Sequence, residues 1–406
     1  MCCGDYRRCF NEVRIIVNLV AIVSITYLNI PYKMWHYVNS FSGEMRPIIL
    51  VPCPIGHNNY AGWLTQTRGL ICRNKRYLDF RMVFLSSQQK GALRVIKYIS
   101  YAIVVWLQAI QTHRLKVVYF PIFFLPNVLT AGLLQIYGIP YICRISGNEL
   151  TMRNPLTFML RIALIRRATA IICLNKDSMT RLTALGVQQA RLKYLGNPVD
   201  TDDYQPPTKS ERVAKRAALG IVSDSVLVIG TVGTVCERKG ILELIKATSK
   251  LNDNNIALFI CGPRSDNPEI DPIYVETCDA CAKTVAADVT FVGRQSDVRS
   301  FLLALDIFVL PSYAEGMPNS LLEAMATGLP IVASNIPGVS DIITSPEIGI
   351  LVSPKDVEGL AAALKQLLDD DCLRNKLGTA ARERVMSGFS TKVVDYEYRL
   401  VLSNPG

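Results

Sequence analysis

Cysteine is too sparse and too irregularly placed for a disulfide scaffold. Twelve residues in 406, at positions such as Cys53, Cys72, Cys143, Cys173 and Cys261, fall often inside apolar runs. That usage points to a reducing compartment. Cys278-x-x-Cys281 has no partner pair at zinc spacing, so it reads as two cysteines on a helix. No zinc finger and no basic motif interleaved with aromatics is present, which argues against a nucleic-acid partner. Nor is there a short-period repeat. The N-terminal apolar run, Ile15 to Leu28, is 14 residues long and follows Arg7, Arg8 and Arg14. A membrane-spanning helix needs ~20 apolar residues. Pro31-Tyr32-Lys33 makes a poor signal-peptidase site. The run is expected to be a membrane-surface helix within an extension covering residues 1–44. Acidic residues are scarce in one region only. Residues 45–205 hold six Asp and Glu against 20 Lys and Arg, whereas residues 206–406 hold 25 against 20. A basic surface of that kind attracts anionic lipid or phosphorylated substrates.

What is present is half apolar (50%) and modestly charged (19%), ample for two hydrophobic cores. From Arg46 onward, short β-branched runs alternate with amphipathic stretches. Strands are predicted at 47–51, 82–85, 116–120, 141–145 and 170–174, with helices at 93–112 and 126–138. After a break at Gln205-Pro206-Pro207 the alternation resumes, with strands at 226–232, 256–261, 289–292, 307–310 and 331–333. Helices there are predicted at 241–251, 321–327 and 357–368. Strands alternating with helices indicate parallel βαβ units. The expected organisation is an α/β chain of two Rossmann-like domains, 45–205 and 206–385, with a C-terminal helix over 386–406 packing back on the first. Paired α/β domains bind ligands beyond the carboxyl ends of their strands.

The densest chemical signal is Leu310-Pro311-Ser312-Tyr313-Ala314-Glu315-Gly316-Met317-Pro318-Asn319-Ser320-Leu321-Leu322-Glu323. A strand ends at Pro311, Gly316 relaxes the loop, and a helix opens near Pro318. The amides of Met317 to Asn319 at that helix start suit a diphosphate. Glu315 and Glu323 flank the same place and invite a hydroxyl-rich ligand. A second element, Val232-Gly233-Thr234-Val235-Cys236-Glu237-Arg238-Lys239-Gly240, delivers a lysine to a helix start. Asp200-Thr201-Asp202 has the spacing of a metal-binding pair but lies at a domain junction, and no metal is expected there.

These two elements resemble the retaining nucleotide-sugar glycosyltransferases of family 4 (glycosyl transferases group 1), as do Gly196-Asn197-Pro198-Val199-Asp200, Phe291-Val292-Gly293 and Asp306. The resemblance covers roughly residues 190–390. It implies a GT-B fold, two Rossmann-like domains facing each other across a cleft, and transfer of a hexosyl or N-acetylhexosaminyl group from a nucleoside-diphosphate sugar without a metal or other cofactor. It assigns catalytic roles to Glu315, Lys239 and Glu323. Donor binding falls to Gly56, Gly233, Arg238, Gly262, Arg294, Gly316, Met317, Pro318 and Asn319. His57, Asn58, Ser146, Asn148 and Glu149 are candidates on the acceptor side. Two departures stand out. Thr234 occupies the place of the family's usual arginine, which Arg238 is expected to replace in part, and a histidine usual near Ser146 is missing. The rival readings are a catalytically degraded sugar-nucleotide-binding subunit and a nucleotide-sugar 2-epimerase on the same fold.

The charge asymmetry adds an expected location, peripheral on the cytoplasmic face of an anionic membrane, where a glycan or lipid-linked acceptor would be extended into a surface polysaccharide or glycolipid. Arg153, Arg161, Arg166 and Arg167 border the apolar stretch 156–165, which is expected to lie on that surface as an amphipathic helix.

Overall fold

A computed structural model describes residues 46–55, 62–86, 92–151, 154–221, 223, 225–251, 255–285 and 287–404. The extension 1–44, with its run at 15–28, lies outside these residues, as do Gly56, His57, Asn58 and Arg153. The chain divides into two units.

In the first unit, β1 (Ile48–Ile55), α1 (Gly62–Asn74), β2 (Asp79–Ser86), α2 (Ala92–Gln111), β3 (Leu115–Phe120), α3 (Leu125–Ile136), β4 (Tyr141–Ile145), α4 (Pro155–Ile165), β5 (Ala170–Cys173), α5 (Lys176–Ala184) and β6 (Leu192–Tyr194) alternate along the chain. The six strands form one parallel sheet in the order β2-β1-β3-β4-β5-β6. β4 and β5 are buried over their full length because helices cover both faces; β5 is accordingly a continuous apolar run, and β4 is apolar apart from the buried Arg144. Phe120, Phe123 and Tyr141 form the aromatic centre of the core, with ring centroids 5.6 and 6.0 Å apart. The Tyr141 hydroxyl donates to the Leu164 carbonyl at 2.7 Å.

The second unit repeats the plan. α6 (Lys209–Ala218), β7 (Leu227–Val232), α7 (Ile241–Ser249), β8 (Ile256–Cys261), α8 (Pro272–Ala282), β9 (Asp288–Gly293), α9 (Val298–Leu302), β10 (Ile307–Leu310), α10 (Asn319–Ala326), β11 (Ile331–Ser334), β12 (Ile350–Val352), α11 (Val357–Asp369), α12 (Asp371–Gly388) and α13 (Thr391–Ser403) follow in order. Its six parallel strands run β12-β11-β10-β7-β8-β9. The order reverses beside β7, the arrangement that leaves loop ends free for a ligand at the carboxyl edge of the sheet. Asp306 ties α6 to this sheet. It accepts from the Arg212 and Arg216 guanidiniums and from the Val228 amide.

The domain limits differ from the sequence expectation. The division falls between Leu195 and Gly196, about ten residues before the expected 205/206 limit, and the short stretch Leu174–Asp177 also groups with the second unit. The physical reason is that Gly196 and Asn197 pack on Met317 of the second unit, whereas the Pro206-Pro207 break merely precedes α6. Only the part of the C-terminal segment from Asp395 groups with the first unit, not all of 386–406. There Asp395 accepts from Arg73 Nε at 2.5 Å, Tyr398 stands edge-on to Tyr119, and Arg399 Nη1 donates to Asn74 at 3.0 Å. Residues just before it stay with the second unit, held by the Val199 amide donating to the Phe389 carbonyl at 2.9 Å.

Candidate functional site

The site is built where β7 and β10 end. β7 hands the chain to a short turn, Glu237–Lys239, and Gly240 closes it in the left-handed region at φ 64°. A Cβ at Gly240 would lie 2.1 Å from the Pro311 carbonyl oxygen, so only glycine lets this turn pass the end of β10. Tyr313 N donates to the Arg238 carbonyl at 2.8 Å, which fastens the two loops side by side.

The side chains then converge. Lys239 Nζ donates to Glu315 Oε1 at 2.6 Å, and Arg238 Nη1 reaches the same oxygen at 3.3 Å and the Ala314 carbonyl at 3.0 Å. Arg238 Nη2 donates to Glu269 Oε2 at 2.7 Å. One guanidinium thus bridges two carboxylates, and two cations share one of them. Burial of Glu315 opposes its ionisation, but the Lys239 ammonium and the Arg238 guanidinium outweigh it and hold the carboxyl below the ordinary glutamate range. The arrangement can trade an internal carboxylate for an incoming anion, because both cations are pre-positioned by backbone turns.

α10 begins immediately after this cluster. Its first-turn amides have no preceding helical carbonyl, so its start favours negative charge. Asn197 Nδ2 donates to the Met317 carbonyl at 3.1 Å and to Asn319 Oδ1 at 2.8 Å, and Asn175 Nδ2 donates to the Gly316 carbonyl at 3.0 Å. Gly316, Met317, Pro318 and Asn319 are therefore held in place before any ligand arrives. One turn into the helix, Glu323 is half-buried, and burial pushes its carboxyl up to about 7. Burial also pushes the nearby Tyr204 phenol up, and the Glu323 carboxylate adds to that shift.

The remaining donor-side candidates line the neighbouring strand ends. Gly233 N donates to the Cys261 carbonyl and Gly262 N to the Gly293 carbonyl, both at 2.9 Å. A Cβ at Gly262 would lie 1.8 Å from the Gly233 oxygen, which explains this glycine. Arg294 is exposed at the end of β9. Thr234 accepts from Asn267 Nδ2 at 3.4 Å and carries no charge, so Arg238 is the guanidinium beside Lys239.

The acceptor-side candidates fare differently. The Glu149 side chain is buried and accepts from Ser146 N and Oγ, both at 2.9 Å, and from Gly147 N at 3.2 Å. It closes its own loop, so it is a structural cap rather than a group turned toward a ligand. Ser146 is its partner in that cap. Asn148 starts the short turn Asn148–Leu150, with its side chain outside the described residues, as are Gly56, His57 and Asn58. Among the described residues, no three His, Cys, Asp or Glu side chains gather as a metal ion would require. Asp200 Oδ1 accepts from the Asp202 and Asp203 amides at 3.1 Å, as a turn-forming aspartate does. Sequence reasoning missed Glu269. It stands in an irregular loop before α8, and no spacing links it to Arg238.

With the geometry in hand, the chain compares with known proteins as follows. A lipopolysaccharide core biosynthesis glycosyltransferase of Rhizobium meliloti, LpsE, is 29% identical over 246 residues, 60% of this chain and 67% of that protein. The Escherichia coli UDP-Gal:alpha-D-GlcNAc-diphosphoundecaprenol alpha-1,3-galactosyltransferase is 28% identical over 236 residues, 57% of this chain and 59% of that protein. The chain thus spans about three-fifths to two-thirds of these two curated relatives. In structure it resembles Anabaena HepE, solved in complex with UDP, at TM-score 0.75 and 18% identity over 88% of this chain and 100% of that one. That likeness is one of fold, the two-domain α/β architecture named GT-B. Residues 214–384, the greater part of the second unit and of the site just described, match the family model of the glycosyl transferases group 1. By that match, the chain carries a glycosyl transferases group 1 domain.

Proposed function

We propose that the protein is a retaining glycosyltransferase, moving a sugar from a nucleoside-diphosphate sugar to a glycan or lipid-linked acceptor in surface polysaccharide or glycolipid synthesis. The observation that carries this is the convergence of Lys239 and Arg238 on Glu315 at the start of α10. Two relatives add support, one named for a lipopolysaccharide core and one for a diphosphoundecaprenol acceptor, and a solved neighbour holds UDP.

In this reading the donor diphosphate settles on the α10 amides and takes Lys239 and Arg238 from Glu315. The freed Glu315 carboxylate accepts hydrogen bonds from donor-sugar hydroxyls, and Glu323 accepts from the ribose. As the sugar–phosphate bond breaks, Lys239 and the amides stabilise the charge that develops on the leaving diphosphate. The acceptor hydroxyl attacks from the same face and passes its proton to a leaving phosphate oxygen, so no carboxylate nucleophile is used and the anomeric configuration is kept. Fixed cations and amides neutralise the diphosphate, so no metal is needed. Incubation with donor alone tests the reading. Slow release of nucleoside diphosphate supports it, whereas appearance of the 2-epimer, or no turnover despite donor binding, favours one of the two rivals on this fold.

A further inference from the structure

Among the described residues no helix is long and apolar enough to cross a membrane, yet α4 exposes apolar side chains along one stripe. Leu156 is 77% exposed, Met159 68% and Leu160 45%. With Ala163, these positions follow the i, i+3, i+4, i+7 spacing of a single helix face. The stripe is not loose packing. Asn154 caps the helix by accepting from Thr157 N at 3.2 Å, and Ile162, Leu164 and Ile165 are buried on the opposite face. Arg161 turns inward and donates to the Glu149 carbonyl at 2.6 Å, so it is not one of the surface cations expected from sequence. Arg166 and Arg167 follow the last helical turn and are exposed, Arg167 in line with the stripe. Arg191 Nη1 donates to the Arg166 carbonyl at 3.0 Å and adds a third guanidinium at this end.

The surroundings are strongly basic. Residues 46–173, 178–195 and 395–404 contain 20 Lys and Arg and four acids, Asp79, Glu149, Asp395 and Glu397. Glu149 is buried and accepts from its own loop. The C-terminal helix contributes Asp395, which is paired with Arg73, and the exposed Glu397.

We infer that α4 is the membrane-docking element: its Leu156, Met159 and Leu160 side chains enter the headgroup boundary of an anionic bilayer, and Arg166, Arg167 and Arg191 engage lipid phosphates. An aliphatic stripe offers no stacking surface to bases, which disfavours nucleic acid. Aliphatic side chains rimmed by cations match an anionic lipid surface. This deepens the proposed function, since a lipid-linked acceptor would then lie in the same bilayer, and it rests on that reading only for its purpose.

The test is co-sedimentation of the full chain with vesicles of phosphatidylcholine alone or with one-third phosphatidylglycerol, at low salt. The wild type should partition onto the anionic vesicles and leave them as salt rises. The variant Leu156→Ser/Met159→Ser/Leu160→Ser should bind them at least tenfold more weakly, and Arg166→Gln/Arg167→Gln should lose most of the salt-sensitive part. Both variants should bind UDP and GDP as the wild type does. Because all five positions are exposed, folding is checked by circular dichroism, and Met159→Asp alone serves as a milder variant. Wild-type partitioning of the triple variant and Met159→Asp would overturn the inference. So would failure of the wild type to bind, self-association that the triple variant abolishes without vesicles, or preference for an oligonucleotide over the anionic vesicles. Failure of the wild type to bind either UDP or GDP would instead defeat the functional reading and leave the docking result standing.

Discussion

Glu315 and Glu323 carry the same charge group on neighbouring turns of chain, and their surroundings drive them apart. Glu315 has two cations; Glu323 has only burial, which raises it to about 7. The sign of the consequence is fixed. Between the ordinary glutamate value near 4.5 and about 7, the folded state holds the Glu323 proton more tightly than the unfolded chain does. Stability from this group is therefore lost as pH rises through that window. Glu323→Gln should raise Tm relative to wild type at pH 8 and have little effect at pH 5. A shift equal at both pH values would contradict the burial argument. A second expectation concerns Glu269, which holds Arg238 from outside the cation cluster. Arg238 is about one-third exposed, so the pair adds little stability and its value lies in orientation. Glu269→Gln should raise KM for the donor several-fold while kcat stays near wild type, and Arg238→Ala should lower both kcat and kcat/KM by ~10-fold or more. Steady-state kinetics at varied donor concentration separates the two patterns.

At the scale of elements, the site depends on how closely two loops can pass. Gly240→Ala puts a methyl group against the Pro311 carbonyl and forces an L-residue to φ 64°, a backbone state that alone costs about 1–2 kcal/mol. It should lower Tm and weaken nucleoside-diphosphate binding together, because Lys239 is the adjacent residue. Gly132→Ala in α3, where a Cβ meets nothing within 4 Å, should stabilise by about 0.5–1 kcal/mol and leave UDP binding alone. Thermal melts with and without UDP measure both. The same physics explains what could be read in advance. Ala170–Cys173, Ile256–Cys261 and Ile307–Leu310 were legible because strands buried on both faces are unbroken apolar runs. β6 and β12 have three residues each at sheet edges and leave no such trace. Asp369-Asp370-Asp371 reads as a solvated helix end, yet Asp370 is also the cap of α12, accepting from Leu373 N at 2.9 Å. The Glu315–Lys239 pair was legible because both ends sit in ordered motifs. Glu269 was not, and Glu149 misled, because local sequence does not reveal whether a loop carboxylate turns outward or caps its own amides.

Across the whole molecule, charge and candidate site divide between the two units. The Glu237–Lys239 turn, the α10 start and both site glutamates belong to the second unit, whereas the strongly basic composition, 20 Lys and Arg against four acids among residues 46–173, 178–195 and 395–404, belongs to the first. If fixed groups neutralise the diphosphate, donor turnover should be unchanged by EDTA; complete loss restored by Mn²⁺ would return attention to Asp200 and Asp202. The central claim is that Lys239, Arg238 and the α10 amides form a site for the terminal phosphate of a nucleoside diphosphate. Calorimetric titration of the full chain with UDP and GDP, each against its monophosphate, tests it most directly. The account predicts that one diphosphate binds at least tenfold more tightly than its monophosphate, about 1.4 kcal/mol, and that Lys239→Ala removes that difference while leaving the monophosphate affinity in place. Equal affinity of diphosphate and monophosphate for the wild type, or an undiminished gap in a folded Lys239→Ala variant, would contradict it.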